Sequence, residues 1–179
     1  IHAADLLALG LIEDDIKLSA TGRAAFKGND FENFDGNLLV NNILVYKDNM
    51  PFRPDSIYFV AEQLLGKHHF LFESPFLSAD YKGTIHPFDA VPMLEDFLSG
   101  VLNNNSSTTE SVHTGNFQCM ASIKTDNVLG ELFLPKLVLN HTATFDADYE
   151  GAGRQLNAHL FVPSIQSASM LGDSIFVDI

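Results

Sequence analysis

Leu77-Ser78-Ala79-Asp80-Tyr81-Lys82-Gly83-Thr84-Ile85 alternates without a break, with Leu77, Ala79, Tyr81, Gly83 and Ile85 on one side of an extended chain and Ser78, Asp80, Lys82 and Thr84 on the other. Successive side chains of a β-strand point to opposite faces, so this spacing predicts a strand with one dry and one wet face. The same pattern recurs on both sides of it. Leu18, Ala20, Gly22, Ala24 and Phe26 alternate with Ser19, Thr21, Arg23 and, beyond Ala25, Lys27. Phe117, Cys119, Ala121 and Ile123 alternate with Asn116, Gln118, Ser122 and Lys124, and Ala143, Phe145, Ala147 and Tyr149 with Asp146, Asp148 and Glu150.

Extending this reading predicts strands over 16–26, 34–46, 56–62, 69–73 and 77–85 in the first half, and over 116–124, 136–140, 142–149, 156–162 and 174–179 in the second. Pro51 and Pro54 bracket an extended entry into the third of these, and Ser74-Pro75 marks a bulge or an edge. Asp5 to Leu11 reads as a helical turn or a short helix. A clearer one is capped by Asp89, takes Pro92 in its first turn and carries a stripe of Leu94, Phe97, Leu98, Val101 and Leu102. Asp126 caps a further short helix through Phe133. The run NNNSSTTES at 103–111 can bury nothing and reads as a linker, which divides the chain into a first β module (1–102) and a second (112–179). Asp55-Ser56-Ile57-Tyr58-Phe59 is faintly echoed by Asp173-Ser174-Ile175-Phe176-Val177, and at the same offset Leu38 matches Leu156.

The chain has 179 residues, 46% of them hydrophobic, which is enough to build a core. A net charge of −13 with only 10 Lys and Arg argues against nucleic acid and against adsorption on an anionic membrane. The lone Cys119 sits on the apolar side of its strand and reads as a structural thiol. The opening at Ile1, without Met, reads as an excerpt of a longer protein.

Signals for chemistry are weak. Asp146, Asp148, Glu150 and Gly151 open like a calcium loop, but Arg154 and Asn157 stand where ligands are needed, and the acids alternate as a strand's wet face does. His68, His69 and Glu73 lie close in sequence, yet on a strand only His69 and Glu73 share a face and no third ligand is in view. His2, His86, His113, His141 and His159 read as surface or strand-edge residues. No nucleophile elbow, zinc-binding helix or phosphate-cradling glycine loop is present, so no enzyme, cofactor or metal is expected.

Several phrases carry a family likeness: 9–19 (LGLIEDDIKLS), 34–38 (FDGNL), 55–57 (DSI), 74–83 (SPFLSADYKG) with the Phe97-Leu98 helix, and 129–137 (LGELFLPKL). Together they resemble the repetitive middle of TamB-like translocation and assembly module proteins of double-membraned bacteria, within the AsmA-like group. The resemblance implies a periplasmic segment tethered to the inner membrane by a helix outside this sequence, and a taco-shaped β-groove with an apolar interior. It further implies a role in outer-membrane protein assembly, in phospholipid transport between membranes, or in both. The partners it implies are acyl chains or unfolded outer-membrane β-strands, with an outer-membrane assembly partner bound through other parts of the protein.

Pattern and resemblance lead to one expectation: a mainly β chain forming an elongated, curved, antiparallel-rich sheet with two short amphipathic helices. Its dry side would be lined by Ala20, Phe26, Leu77, Ala79, Tyr81 and Ile85 from the first half, and by Ala143, Phe145, Tyr149, Leu156, Ala158, Leu160, Ile175 and Val177 from the second. Two other readings stand beside it. One is a closed β-sandwich for interaction or adhesion, with the apolar faces spent against each other. The other is a hydrolase whose site assembles only in space.

Overall fold

Alternation becomes strands almost everywhere the pattern is strong. The computed structural model describes residues 4–5, 16–28, 34–47, 50–94, 114–124, 137–139, 141–153, 155–163, 165–167, 170–172 and 174–178. In chain order the strands are β1 (Ala4–Asp5), β2 (Ile16–Lys27), β3 (Asp35–Lys47), β4 (Met50–Phe52), β5 (Ile57–Leu64), β6 (Lys67–Glu73) and β7 (Leu77–Gly83). They continue with β8 (Asn116–Ile123), β9 (Leu137–Leu139), β10 (Ala143–Glu150), β11 (Gln155–Val162), β12 (Ile165–Ser167), β13 (Met170–Gly172) and β14 (Ile175–Asp178).

Among the described residues the main sheet runs β1-β2-β3-β5-β6-β7-β8-β10-β11-β14, with β4 added beside β3. Every pairing is antiparallel, and the two end strands do not meet. The result is an open, curved sheet, not a barrel. A second, small sheet joins β13, β12 and β9. The two halves of the chain are hydrogen-bonded together, because β7 pairs with β8 from Leu77 opposite Ile123 to Gly83 opposite Phe117. The faint internal repeat does not survive as a repeated register. Leu38 stands opposite Phe59, whereas Val177 stands opposite Leu160 and not Leu156.

One helix, α1 (87–94), is described. Its start differs from the expected one. His86, not Asp89, is the cap: its carbonyl accepts from the amides of Asp89 (2.9 Å) and Ala90 (3.0 Å), and its Nδ1 accepts from the Phe88 amide at 3.3 Å. Pro87 occupies the first helical position, where its missing N–H costs nothing and its φ is already helical. Asp89 falls in the first turn, where a carboxylate suits the positive end of the helix dipole. The expected short helix at 5–11 meets a strand at Asp5, and its remaining residues, the helix after Asp126 and the 103–111 linker lie outside the described residues.

Ser74-Pro75 proves to be part of a tight β6–β7 connection, not a bulge within a strand. The Ser74 amide donates to the Leu77 carbonyl at 2.9 Å, and the Ser74 hydroxyl accepts from the Leu77 amide at 3.0 Å. The β5–β6 hairpin closes through Leu65 (φ 54°) and Gly66 (φ 74°), the two positive angles of a type I′ turn. Glycine adopts that conformation freely, whereas a leucine crowds its own carbonyl. Leu65 is 94% exposed, so no packing offsets the strain. Leu65→Asn is therefore expected to stabilise the chain by about 1 kcal/mol, raising Tm by roughly 2–4 °C in a thermal melt.

Candidate functional site

Residues directly opposite one another in a ladder share a face, so the registers give the composition of each face. One row crosses the sheet from β2 to β14: Ala24, Leu38, Phe59, Phe72, Ala79, Ala121, Phe145, Leu160 and Val177, each opposite the next. Every member is apolar and none is buried. The neighbouring row on the same face runs Phe26, Gly36, Ala61, Phe70, Tyr81, Cys119, Ala147 and Ala158. The opposite face carries Glu62, His69, Asp80, Lys82, Gln118, Ser122, Asp146 and Asp148, with Leu39, Val60, Leu71 and Met120 interspersed among them.

Part of the dry face is already covered. Ala90 and Met93 of α1 pack into a buried cluster with Tyr81, Ile85, Phe117, Ala147, Tyr149 and Leu156. Phe117 lies between Tyr81 and Tyr149, with ring centroids 5.6 and 5.5 Å away. Gly83 makes room for it, since a Cβ there would sit 2.6 Å from the Cβ of Phe117. The Tyr81 hydroxyl donates to the Ile85 carbonyl at 2.7 Å, and burial, with Cys119 and Asp89 nearby, drives its pKa far up. Ile85 lies beyond the end of β7, so it enters this core from the connection to α1 and not from a strand.

The expected lining residues thus divide. Tyr81, Ile85, Ala143, Tyr149 and Leu156 are buried; Ala20, Leu77, Ala79, Phe145, Ala158 and Leu160 are half-buried; Phe26, Ile175 and Val177 are exposed. Phe59, Phe70, Phe72 and Ala121 belong to the same face and were not among them. The signal for Phe70 and Phe72 is the alternation of His68, Phe70 and Phe72 within β6, and that for Ala121 is the alternation of Phe117, Cys119, Ala121 and Ile123 within β8.

The histidines separate by face as well. His68 is on the dry side, its ring edge-on to that of His86 at 4.9 Å, and burial, then the His86 charge, lowers its pKa. His86, expected at the surface or a strand edge, is buried, and its Nε2 finds no hydrogen-bond partner among the described residues. His69 lies on the wet side, bonded to Asp80 (2.9 Å) and near Glu62 (3.5 Å). Asp146, Asp148 and Glu150 are on β10, so no calcium loop forms there, and Asp148 accepts from Gln118 at 2.9 Å. Among the described residues no group of three ligands could hold a metal. The Cys119 thiol is half-buried on the dry face, and burial, with Asp146 and Asp80, pushes its pKa up, away from nucleophile chemistry.

With this geometry in view, comparison with family models, curated proteins and solved structures found no match. No helix among the described residues is long and apolar enough to cross a membrane.

The wet face supplies a pH test of the fold. Burial alone would raise the Asp80 pKa, but hydrogen bonds from Lys82 (2.6 Å) and His69 outweigh it and hold the carboxyl below its usual range. A depressed carboxylate stabilises the fold above its unfolded pKa, and that stabilisation is lost as pH falls through the folded value. Asp80→Asn should cost about 0.5–1 kcal/mol at neutral pH, given the exposed lysine partner. The difference from the parent chain in urea titrations should shrink as pH falls below the ordinary carboxylate range.

Proposed function

We propose that the uncovered part of the dry face is a groove that shelters phospholipid acyl chains. In this reading the chain is a periplasmic segment of a protein anchored to the inner membrane by a part outside this sequence, working in outer-membrane protein assembly or phospholipid transport. The setting rests on the TamB-like resemblance. The groove rests on one observation, the apolar row from Ala24 to Val177, of which no member is buried.

Strands are spaced about 4.8 Å apart, so that row is roughly 40 Å long, enough to carry an extended acyl chain across several strands. Each methylene removed from water contributes about 0.8 kcal/mol, so burial alone holds such a chain without a specific polar contact. A monomeric soluble surface rarely leaves so continuous an apolar strip. The wet face and the charge of −13 keep the other side in water. The β14 edge favours a second occupant, an unfolded outer-membrane strand: Ile175, Phe176 and Val177 are exposed there, and β14 has β11 as its one neighbour among the described residues.

Native mass spectrometry of the chain purified from a lipid-containing host tests this. Bound phospholipid, released by organic solvent and identified, is the expected result. A protein that carries no lipid and takes up none from added vesicles overturns the reading and favours a plain interaction module.

A further inference from the structure

Among the described residues the main sheet opens between β3 and the run from β4 to β5. β3 leaves β5 after Val40, opposite Ile57, and meets β4 at Val45, opposite Phe52. The register is the same on both sides of the break. β4, residues 53–56 and β5 are thus one extended run whose ladder to β3 is open over four residues. Asn41, Asn42, Ile43 and Leu44 face the run from Arg53 to Ser56 across the gap. Two local causes hold it open. Pro54 has no N–H to give a ladder. On the other side Ala20 of β2 faces both Asn42 and Ile43, a bulge in which Asn42 takes φ 50°.

The opening is a recess of about 960 Å³ lined by Asn41, Asn42, Ile43, Arg53, Asp55 and Ser56 among others. That is the scale of a small-molecule site, roughly 300–1,000 Å³, and not of a single ion. Its chemistry is mixed. Arg53 and Asp55 are exposed and make no ion pair with each other or with any other described residue. Asn41 and Ser56 add neutral hydrogen-bonding groups. Its floor is apolar, because Ile43 belongs to a buried cluster with Val45, against which Phe52 and Ile57 pack.

We propose that this gap holds the head group of a zwitterionic phospholipid, with the phosphate on Arg53 and the ammonium on Asp55, while the acyl chains pass over Ile43 onto the dry face. The inference rests on the groove reading and adds the class of lipid to it. A guanidinium is the side chain best shaped for phosphate, and a carboxylate is the natural partner of an ammonium. A ligand of no net charge also escapes the repulsion that a chain of charge −13 exerts on anions.

The test is calorimetric titration of the purified chain with short-chain phosphatidylethanolamine, short-chain phosphatidylglycerol and free phosphoethanolamine. The parent chain should bind the zwitterionic lipid about tenfold more tightly than the anionic one, the scale of one charge-assisted contact. Arg53→Gln should weaken both lipids about tenfold, and Asp55→Asn should weaken only the zwitterionic one and remove the preference. Both positions are exposed, and circular dichroism melts check that both variants keep the fold. Lipids that bind alike to parent and variants overturn the head-group site and leave the groove standing. Free phosphoethanolamine binding as tightly as the lipid overturns the lipid source and marks a site for a soluble zwitterion. Absence of binding by either lipid overturns the groove, and this inference with it.

Discussion

Phe117→Ala is expected to destabilise the chain by about 3–5 kcal/mol, a large share of the total stability of a domain this size. Phe117 is 1% exposed and its ring is held between those of Tyr81 and Tyr149. Its removal leaves a void that those two rings cannot fill, because the strands carrying them are fixed by ladders on either side of β8. α1 depends on the same contact, since Ala90 and Met93 dock into this cluster. Loss of the ring should therefore loosen the helix as well as lower the midpoint of urea unfolding. Phe117→Leu, which keeps most of the volume, should cost roughly half as much or less. Leu64→Ala at the 72% exposed hairpin end serves as the comparison and should stay within about 0.5 kcal/mol. A Phe117→Ala penalty no larger than that of Leu64→Ala would show that α1 and the three strands are not held by this cluster.

Strand existence was legible because alternation is a local property: Leu77–Gly83 shows its two faces in seven letters. Strand partners were not, since nothing in β7 and β8 says that they join across the segment between Gly83 and Asn116. The dry face could be named residue by residue, but its coverage could not. Whether Tyr81 or Ala79 is hidden depends on where α1 lies, and that is set by Ala90 and Met93, two small or flexible side chains that carry little periodic signal. The helix start was misplaced for a related reason. Asp89 is a strong cap by residue type, but Pro87 fixes the first helical residue earlier, which leaves the cap to His86. The turn at Leu65-Gly66 is not legible because it puts a leucine, an unfavoured residue, at positive φ. Residue preference points away from such sites, and only the surrounding sheet enforces them.

Ala121→Glu is expected to abolish acyl-chain binding while leaving the sheet folded. Ala121 lies next to the centre of the apolar row, flanked by Ala79 on β7 and Phe145 on β10. It is half-buried, so a glutamate there can reach water and the chain should lose only about 1–2 kcal/mol. A bound acyl chain would have to lie over that carboxylate and strip it of water, at a cost of several kcal/mol that the neighbouring methylenes do not offset. Lipid uptake from vesicles, read by native mass spectrometry or by displacement of a fluorescent fatty acid, should fall by two orders of magnitude or more, about 3 kcal/mol. Ala121→Leu adds apolar surface at the same place and should bind at least as well as the parent. Gln118→Glu places the same charge on the wet face of the same strand, where Gln118 already contacts Asp148, and should leave lipid uptake unchanged. If Gln118→Glu and Ala121→Glu reduce uptake equally, the effect is one of net charge and the apolar row is not the binding surface. If Ala121→Glu folds and still takes up lipid like the parent chain, the acyl chains lie elsewhere and the groove assigned to this face is wrong.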